Sequence, residues 1–169
     1  TSYSEKGSGM EREAERAPPK ERLPSAATRL LARRMHAGRQ AAAAEGRATG
    51  GVVPFGYYRS FDPATGRPLW KANPETAPIV RRIFRDYLRL RSLGKLADEL
   101  SAEGIPSASG RSWSRASLAF IVKNEVYRGV VRYGSIRARG EHPPIVAPIV
   151  FNRARQLARE NRRRPPAVE

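Results

Sequence analysis

Residues 76–124 read TAPIVRRIFRDYLRLRSLGKLADELSAEGIPSASGRSWSRASLAFIVKN, and three helical periods fall inside this one stretch. From about Thr76 to Leu90, Ile79, Val80, Ile83, Phe84, Tyr87 and Leu88 recur on one face, while Arg81, Arg82, Arg85 and Arg89 fall mostly on the other. Pro78 is tolerated because it lies in the first turn. A shorter helix is expected over 93–103, with Ser92 as N-cap, a stripe of Leu93, Leu96, Ala97 and Leu100, and a Schellman-type stop at Gly104 and Ile105. After the loop PSASGRSW, Ser114 is placed to cap a third helix running to Lys123 and ending at Asn124. At 100° per residue, Leu118, Ile121 and Val122 make its inward face. Ala116, Ala119, Phe120 and Lys123 then point outward.

Before this block, residues 1–25 mix Gly, Ser, Pro and alternating charge with almost no large apolar side chain, so they are expected to be disordered. The run AATRLLARRMHAGRQAAAAE predicts a linker helix over 26–46 that stops at Gly46, with a thin apolar stripe of Leu30, Leu31 and Met35. GRATGGVVPFGYY then reads as an extended arm, in which Gly46, Gly50 and Gly51 let the backbone bend and Arg47 supplies the charge. Beyond the third helix, VYRGVVRYG reads as a strand, GSIRARGEH as a basic loop and PPIVAP as a second short strand or extended segment. Residues from Phe151 to about Asn161 are helical in pattern, and 165–169 form a frayed tail. The expected fold is mainly α with a small β hairpin, a helix-turn-helix-like and wing-like domain over 47–164 preceded by the linker helix.

Thirty-two Lys and Arg against 16 Asp and Glu leave a formal charge of +16 on 169 residues. The pI near 11.3 is the footprint of a nucleic-acid binder. Residues 1–50 carry 10 basic and 6 acidic side chains and residues 51–169 carry 22 and 10, so most of the field sits in the second part. The chain has no Cys and two His, which excludes a disulfide framework and any Cys-rich zinc site. No cofactor, metal, small-molecule substrate or membrane span is expected, and a cytoplasmic, nucleoid-associated protein is the default.

An outward helix face free of acids is suited to the major groove, where each base pair presents a distinct pattern. Arg115 and Lys123 could reach phosphates or guanine edges, and Ala116, Ala119 and Phe120 could meet thymine methyls. Arg111 and Ser114 at the helix entry, and Arg137 and Arg139 in the basic loop, complete the candidate DNA-binding set with Arg47, Gly50 and Gly51. Each has a bland alternative. The pattern fits Phe120 covered by the N-terminal helix or a neighbouring loop just as well, the arginines at 81, 82, 85 and 89 are read first as a solvated face, and Trp113 is expected to pack within its loop. Tyr57, Tyr58, Tyr127 and Tyr133 are assigned to the core and hairpin.

GGVVPFGYYR followed by residues 79–134 resembles, in order and spacing, the recombinase domain of large serine recombinases. HPPIVAPIVFNRARQLARENRRR is similar to the segment that follows in that family, and AGRQAAAAEGR to the end of its long linker helix, so the likeness spans about 35–164. The resemblance implies binding of duplex DNA at one half of a recombination site, with helix 114–123 in the major groove and the arm 46–51 over the adjacent minor groove. It also implies a catalytic domain carrying a nucleophilic Ser ahead of the linker helix. None of Ser2, Ser4, Ser8 or Ser25 has such a context, so no catalytic residue is assigned and the chain alone is expected to be inactive. Arg39 stands where the family's helix usually has an apolar residue, and homo-oligomerisation on DNA is expected only through a longer parent protein. A stand-alone DNA-binding regulator and a basic RNA-binding protein remain as rival readings.

Overall fold

A computed structural model describes residues 25–49 and 51–163. The segments expected to be disordered or frayed, apart from Ser25, lie outside the described residues, as does Gly50. The elements in chain order are α1 (Ala26–Ala44), β1 (Tyr57–Phe61), β2 (Pro68–Ala72), α2 (Ala77–Leu90), α3 (Leu93–Ala102) and α4 (Arg115–Lys123), then a 3₁₀ turn (Glu125–Arg128), β3 (Val130–Tyr133), β4 (Ile136–Arg139) and α5 (Pro148–Arg163). The fold is mainly α with small antiparallel hairpins, as expected. The chain divides into two compact units, 1–34 and 35–169. In the first, the Ser25 hydroxyl accepts a hydrogen bond from the Thr28 amide at 3.2 Å and so caps α1, and Leu30 and Leu31 are exposed.

In the second unit the three helices of 76–124 form because their caps and stripes agree. Ser92 accepts from the Lys95 amide at the start of α3. At its end the Ile105 amide bonds Leu100 and the Gly104 amide bonds Ser101, each at 3.0 Å, which is the Schellman pair. Ser114 and Ser117 exchange side chain to backbone bonds at 3.1 and 3.0 Å, a capping box that fixes where α4 begins. Arg91, at φ +54°, ends α2 in the left-handed region. Its carbonyl is held by Asn161 of α5 at 2.8 Å, which secures that otherwise strained residue.

The core is where these stripes meet. Val80, Ile83, Phe84 and Tyr87 of α2 pack with Leu96 and Leu100 of α3, Leu118, Ile121 and Val122 of α4, and Phe151, Ala154 and Leu157 of α5. Phe84 lies 5.7 Å from Phe151 and 6.1 Å from Tyr127, centroid to centroid. Asp86 is a buried acid on α2. Burial alone would raise its carboxyl, but hydrogen bonds from Arg85 and Arg82, with the charge of Arg89 beside them, hold it below the usual carboxylate range. Arg82, Arg85 and Arg89 are thus ion-paired rather than merely solvated, since Arg82 also meets Glu103 and Arg89 meets Glu99, while Arg81 donates to the Ile145 carbonyl at 3.2 Å.

Four expectations need correction. GRATGGVVPFGYY is not an extended arm to its end, because Tyr57 and Tyr58 open β1, which pairs with β2 from Tyr57 opposite Ala72 to Phe61 opposite Pro68. The turn between them is tied by Asp62, whose carboxylate accepts from the Ala64 and Thr65 amides. The basic stretch GSIRARGEH is not a loop: Ile136–Arg139 is β4, joined to β3 by the two-residue turn Gly134 and Ser135. PPIVAP is not a strand; Ile145 and Val146 plug the core, and the Val146 amide bonds the Tyr127 carbonyl at 2.9 Å. Of VYRGVVRYG only Val130–Tyr133 is strand, since Glu125–Arg128 coils into the 3₁₀ turn. Of the tyrosines assigned to the core and hairpin, Tyr57 and Tyr127 are buried, and Tyr58 lies exposed on β1 of a hairpin.

An aromatic cluster seals the hairpins to the helices. Tyr57 packs 6.1 Å from Tyr127 and edge-on to His142 at 5.4 Å, and its hydroxyl donates to the Pro143 carbonyl at 2.8 Å. His142 is buried, with Nε2 2.8 Å from the Val126 carbonyl, to which it donates. Burial lowers its pKa, and the bond to Val126 offsets this only in part. In the unfolded chain the same side chain titrates near its ordinary value of about 6.5. The folded state therefore binds fewer protons below that point, and stability is full above pH ~6.5 and lost as pH falls toward the depressed folded value. Melting temperature is expected to decline over this window in the parent chain and to decline less in His142→Phe. Parallel curves for the two proteins would contradict this.

Candidate nucleic-acid interface

The α4 surface follows from one periodicity. Leu118 and Val122 are fully buried and Ile121 nearly so, which forces the residues between them outward. Phe120 is 71% exposed, and Arg115, Ala116 and Lys123 are exposed, with Ala119 half-buried. Among the described residues nothing covers this ring, which stands at the middle of a nine-residue helix. Of the two readings of Phe120, the covered one is set aside.

α4 stands as a ridge between two grooves. One, of about 600 Å³, lies between α4, the start of α3 and the end of α5, and takes in Arg91, Ser92, Arg115, Ala119, Lys123 and Arg162. The other, of about 510 Å³, has Phe120 and Lys123 on one wall, β3 on the other, and Thr49 and Pro54 of the arm at its margin. The fold therefore brings the arm, α4 and the β3–β4 hairpin around Phe120. Trp113 is buried against Phe55 of the arm region, edge-on at 5.4 Å, and packs in its loop as expected.

The remaining candidates are less uniform. Arg47 is partly exposed, and its Nε donates to Glu45 at 2.6 Å, a bond that holds the Glu45 carboxyl below its ordinary range. Gly51 sits at φ +90° with open space where a Cβ would stand, and its carbonyl is tied by Arg59 at 3.0 Å. Arg111 is exposed in the loop before α4, whose turn closes by a bond from the Ser107 amide to the Arg111 carbonyl at 2.9 Å. Arg137 and Arg139 are exposed on one face of β4, but Arg137 is engaged with Glu125, which also holds Arg128 at 2.8 Å.

Sequence reasoning passed over Arg59, which fastens the arm, and the arginines of α5. The latter had a signal: Arg155, Arg159, Arg162 and Arg163 recur at helical spacing, and they border a further cleft with Lys123 of α4. Among the described residues no cluster of His, Asp or Glu is arranged to hold a metal, and no helix is long and apolar enough to cross a membrane.

Residues 74–161, 88 of the 169, match the Recombinase family. No curated protein matches the chain. Two solved structures are similar in fold. One is a large serine recombinase in complex with DNA, at 20% identity and a TM-score of 0.65, covering 79% of this chain. The other was solved for the sequence requirements of the Listeria innocua prophage attP site, at 22% identity and a TM-score of 0.60, covering 75% of this chain. The chain spans 41% of the first and 51% of the second.

Proposed function

The chain belongs to the recombinase family, and from that premise we propose that it binds duplex DNA sequence-specifically as the recognition part of a serine site-specific recombinase. In this reading α3 and α4 act as a helix-turn-helix-like pair with an enlarged connection, α4 enters the major groove, and the β3–β4 hairpin flanks it as a wing. The Gly-rich arm before β1 crosses toward the neighbouring minor groove, with Arg59 holding its Gly51 carbonyl. Support for duplex DNA as the partner comes from the similar large serine recombinase, which was solved on DNA. The observation that carries the reading is Phe120, exposed on an acid-free helix face between two grooves.

Site selection on random duplexes tests it. Phe120→Ala should change base preference at one or two positions, at about 1–3 kcal/mol per lost base contact. Lys123→Ala, if its contact is to phosphate, should weaken all sites alike. Unaltered base preference in Phe120→Ala would place the recognition surface elsewhere.

A further inference from the structure

We propose that the C-terminal half of α5 is a phosphate clamp that seats the DNA backbone along one wall of the groove entered by α4. This rests on the reading of α4 given above and assigns a contact to an element outside the helix-turn-helix-like pair. The first observation is placement. Arg155, Arg159 and Arg162 fall within about 60° of arc and about 10 Å of helix length at α-helical geometry. They share their clefts with Lys123 at the end of α4.

The second observation is ion pairing. Several arginines elsewhere on the surface are spent on acids, Arg82 on Glu103, Arg89 on Glu99 and Arg137 on Glu125. Among the described residues, none of Arg115, Lys123, Arg155, Arg159 and Arg162 has a carboxylate partner. The acid nearest in sequence, Glu160, is turned to Arg91 and Gln156. Unpaired guanidinium groups in a row repel one another unless a polyanion lies across them, and a phosphate strand presents charges at comparable spacing. An anionic membrane fits less well. The apolar side of α5, Phe151, Ala154 and Leu157, is committed to the core, so no apolar face is left to enter a bilayer.

The test compares salt dependence of binding to a selected duplex for the full chain and for Arg155→Gln/Arg159→Gln/Arg162→Gln, which keeps the helix-forming tendency of the positions. Three lost phosphate contacts should flatten the slope of log affinity against log salt by about 2.7, so that between 50 and 200 mM salt the variant loses about 40-fold less affinity than the parent. Base preference should be unchanged. Arg153→Gln on the other flank of α5 controls for net charge, and should leave the slope intact where Arg159→Gln flattens it by about 0.9. Equal slopes for parent and triple variant, or equal effects of Arg153→Gln and Arg159→Gln, would overturn the clamp while leaving the α4 reading standing. A parent chain without affinity for duplex DNA would overturn both.

Discussion

Gly46→Ala should lower the melting temperature by on the order of 10 °C. The residue terminates α1 at φ +73°, where an L side chain costs roughly 1–2 kcal/mol in backbone strain. Its surroundings add a second term. A Cβ there would stand 1.9 Å from the Arg139 carbonyl oxygen and 3.1 Å from the Arg139 carbonyl carbon. That oxygen belongs to the end of β4, which is pinned by the Gly140 amide on Gly129 at 2.8 Å and by the Glu141 amide on the Gly46 carbonyl at 2.9 Å. Backbone cannot yield as a flexible side chain would, so overpacking adds about 1–3 kcal/mol. At about 2–4 °C per kcal/mol for a chain of this size, the sum gives the stated loss. Gly104→Ala is the internal standard, because Gly104 is also left-handed, at φ +68°, with nothing within 4 Å of its would-be Cβ. It should lose only the strain, a few degrees. Equal losses in the two variants would mean that the contact between α1 and β4 gives way freely. Since Arg47 follows directly, Gly46→Ala should also weaken DNA binding through the arm.

The helices of 76–124 were legible because burial there follows a 3.6-residue period and the capping residues sit where the stripes begin and end. Gly104 and Ser114 bracket a nine-residue stretch that no periodicity would delimit. The β1–β2 hairpin was not legible for the opposite reason. Tyr57 is the single buried residue of β1 and Trp70 that of β2, so neither strand alternates enough to reveal itself. In β4 the residues Ile136 to Arg139 are half arginine, and that charge masks the strand propensity of the segment. Ile145 and Val146 misled because two adjacent buried apolar residues resemble a strand, yet they fill a gap beneath Tyr57 and Tyr127 without pairing. The α4 face was foreseeable from its own helix alone. The α5 stripe was not, since its meaning depends on Lys123, some thirty residues earlier, being carried alongside by packing of α4 on α5.

Leu118→Ala and Phe120→Ala remove large apolar side chains two positions apart on the same helix and should have opposite consequences. Leu118 is fully buried in the core that joins α2, α3, α4 and α5. Truncation leaves a cavity among Leu96, Leu100 and their neighbours, and should cost about 2–5 kcal/mol. That is a large part of the total stability of a domain this size, so a substantial unfolded population is expected near physiological temperature. Phe120, 71% exposed, has little burial to lose, and its truncation should stay within about 0.5 kcal/mol of the parent. Binding separates them a second time. Whatever affinity Leu118→Ala loses should track its unfolded fraction and return on cooling, with base preference intact, because α4 presents the same outer face once folded. Phe120→Ala should lose affinity at temperatures where its melt is indistinguishable from the parent. Thermal melts paired with anisotropy titrations at two temperatures read both effects. A Phe120→Ala protein that melts as early as Leu118→Ala would mean that the ring is covered in solution, and α4 would lose its claim to the major groove.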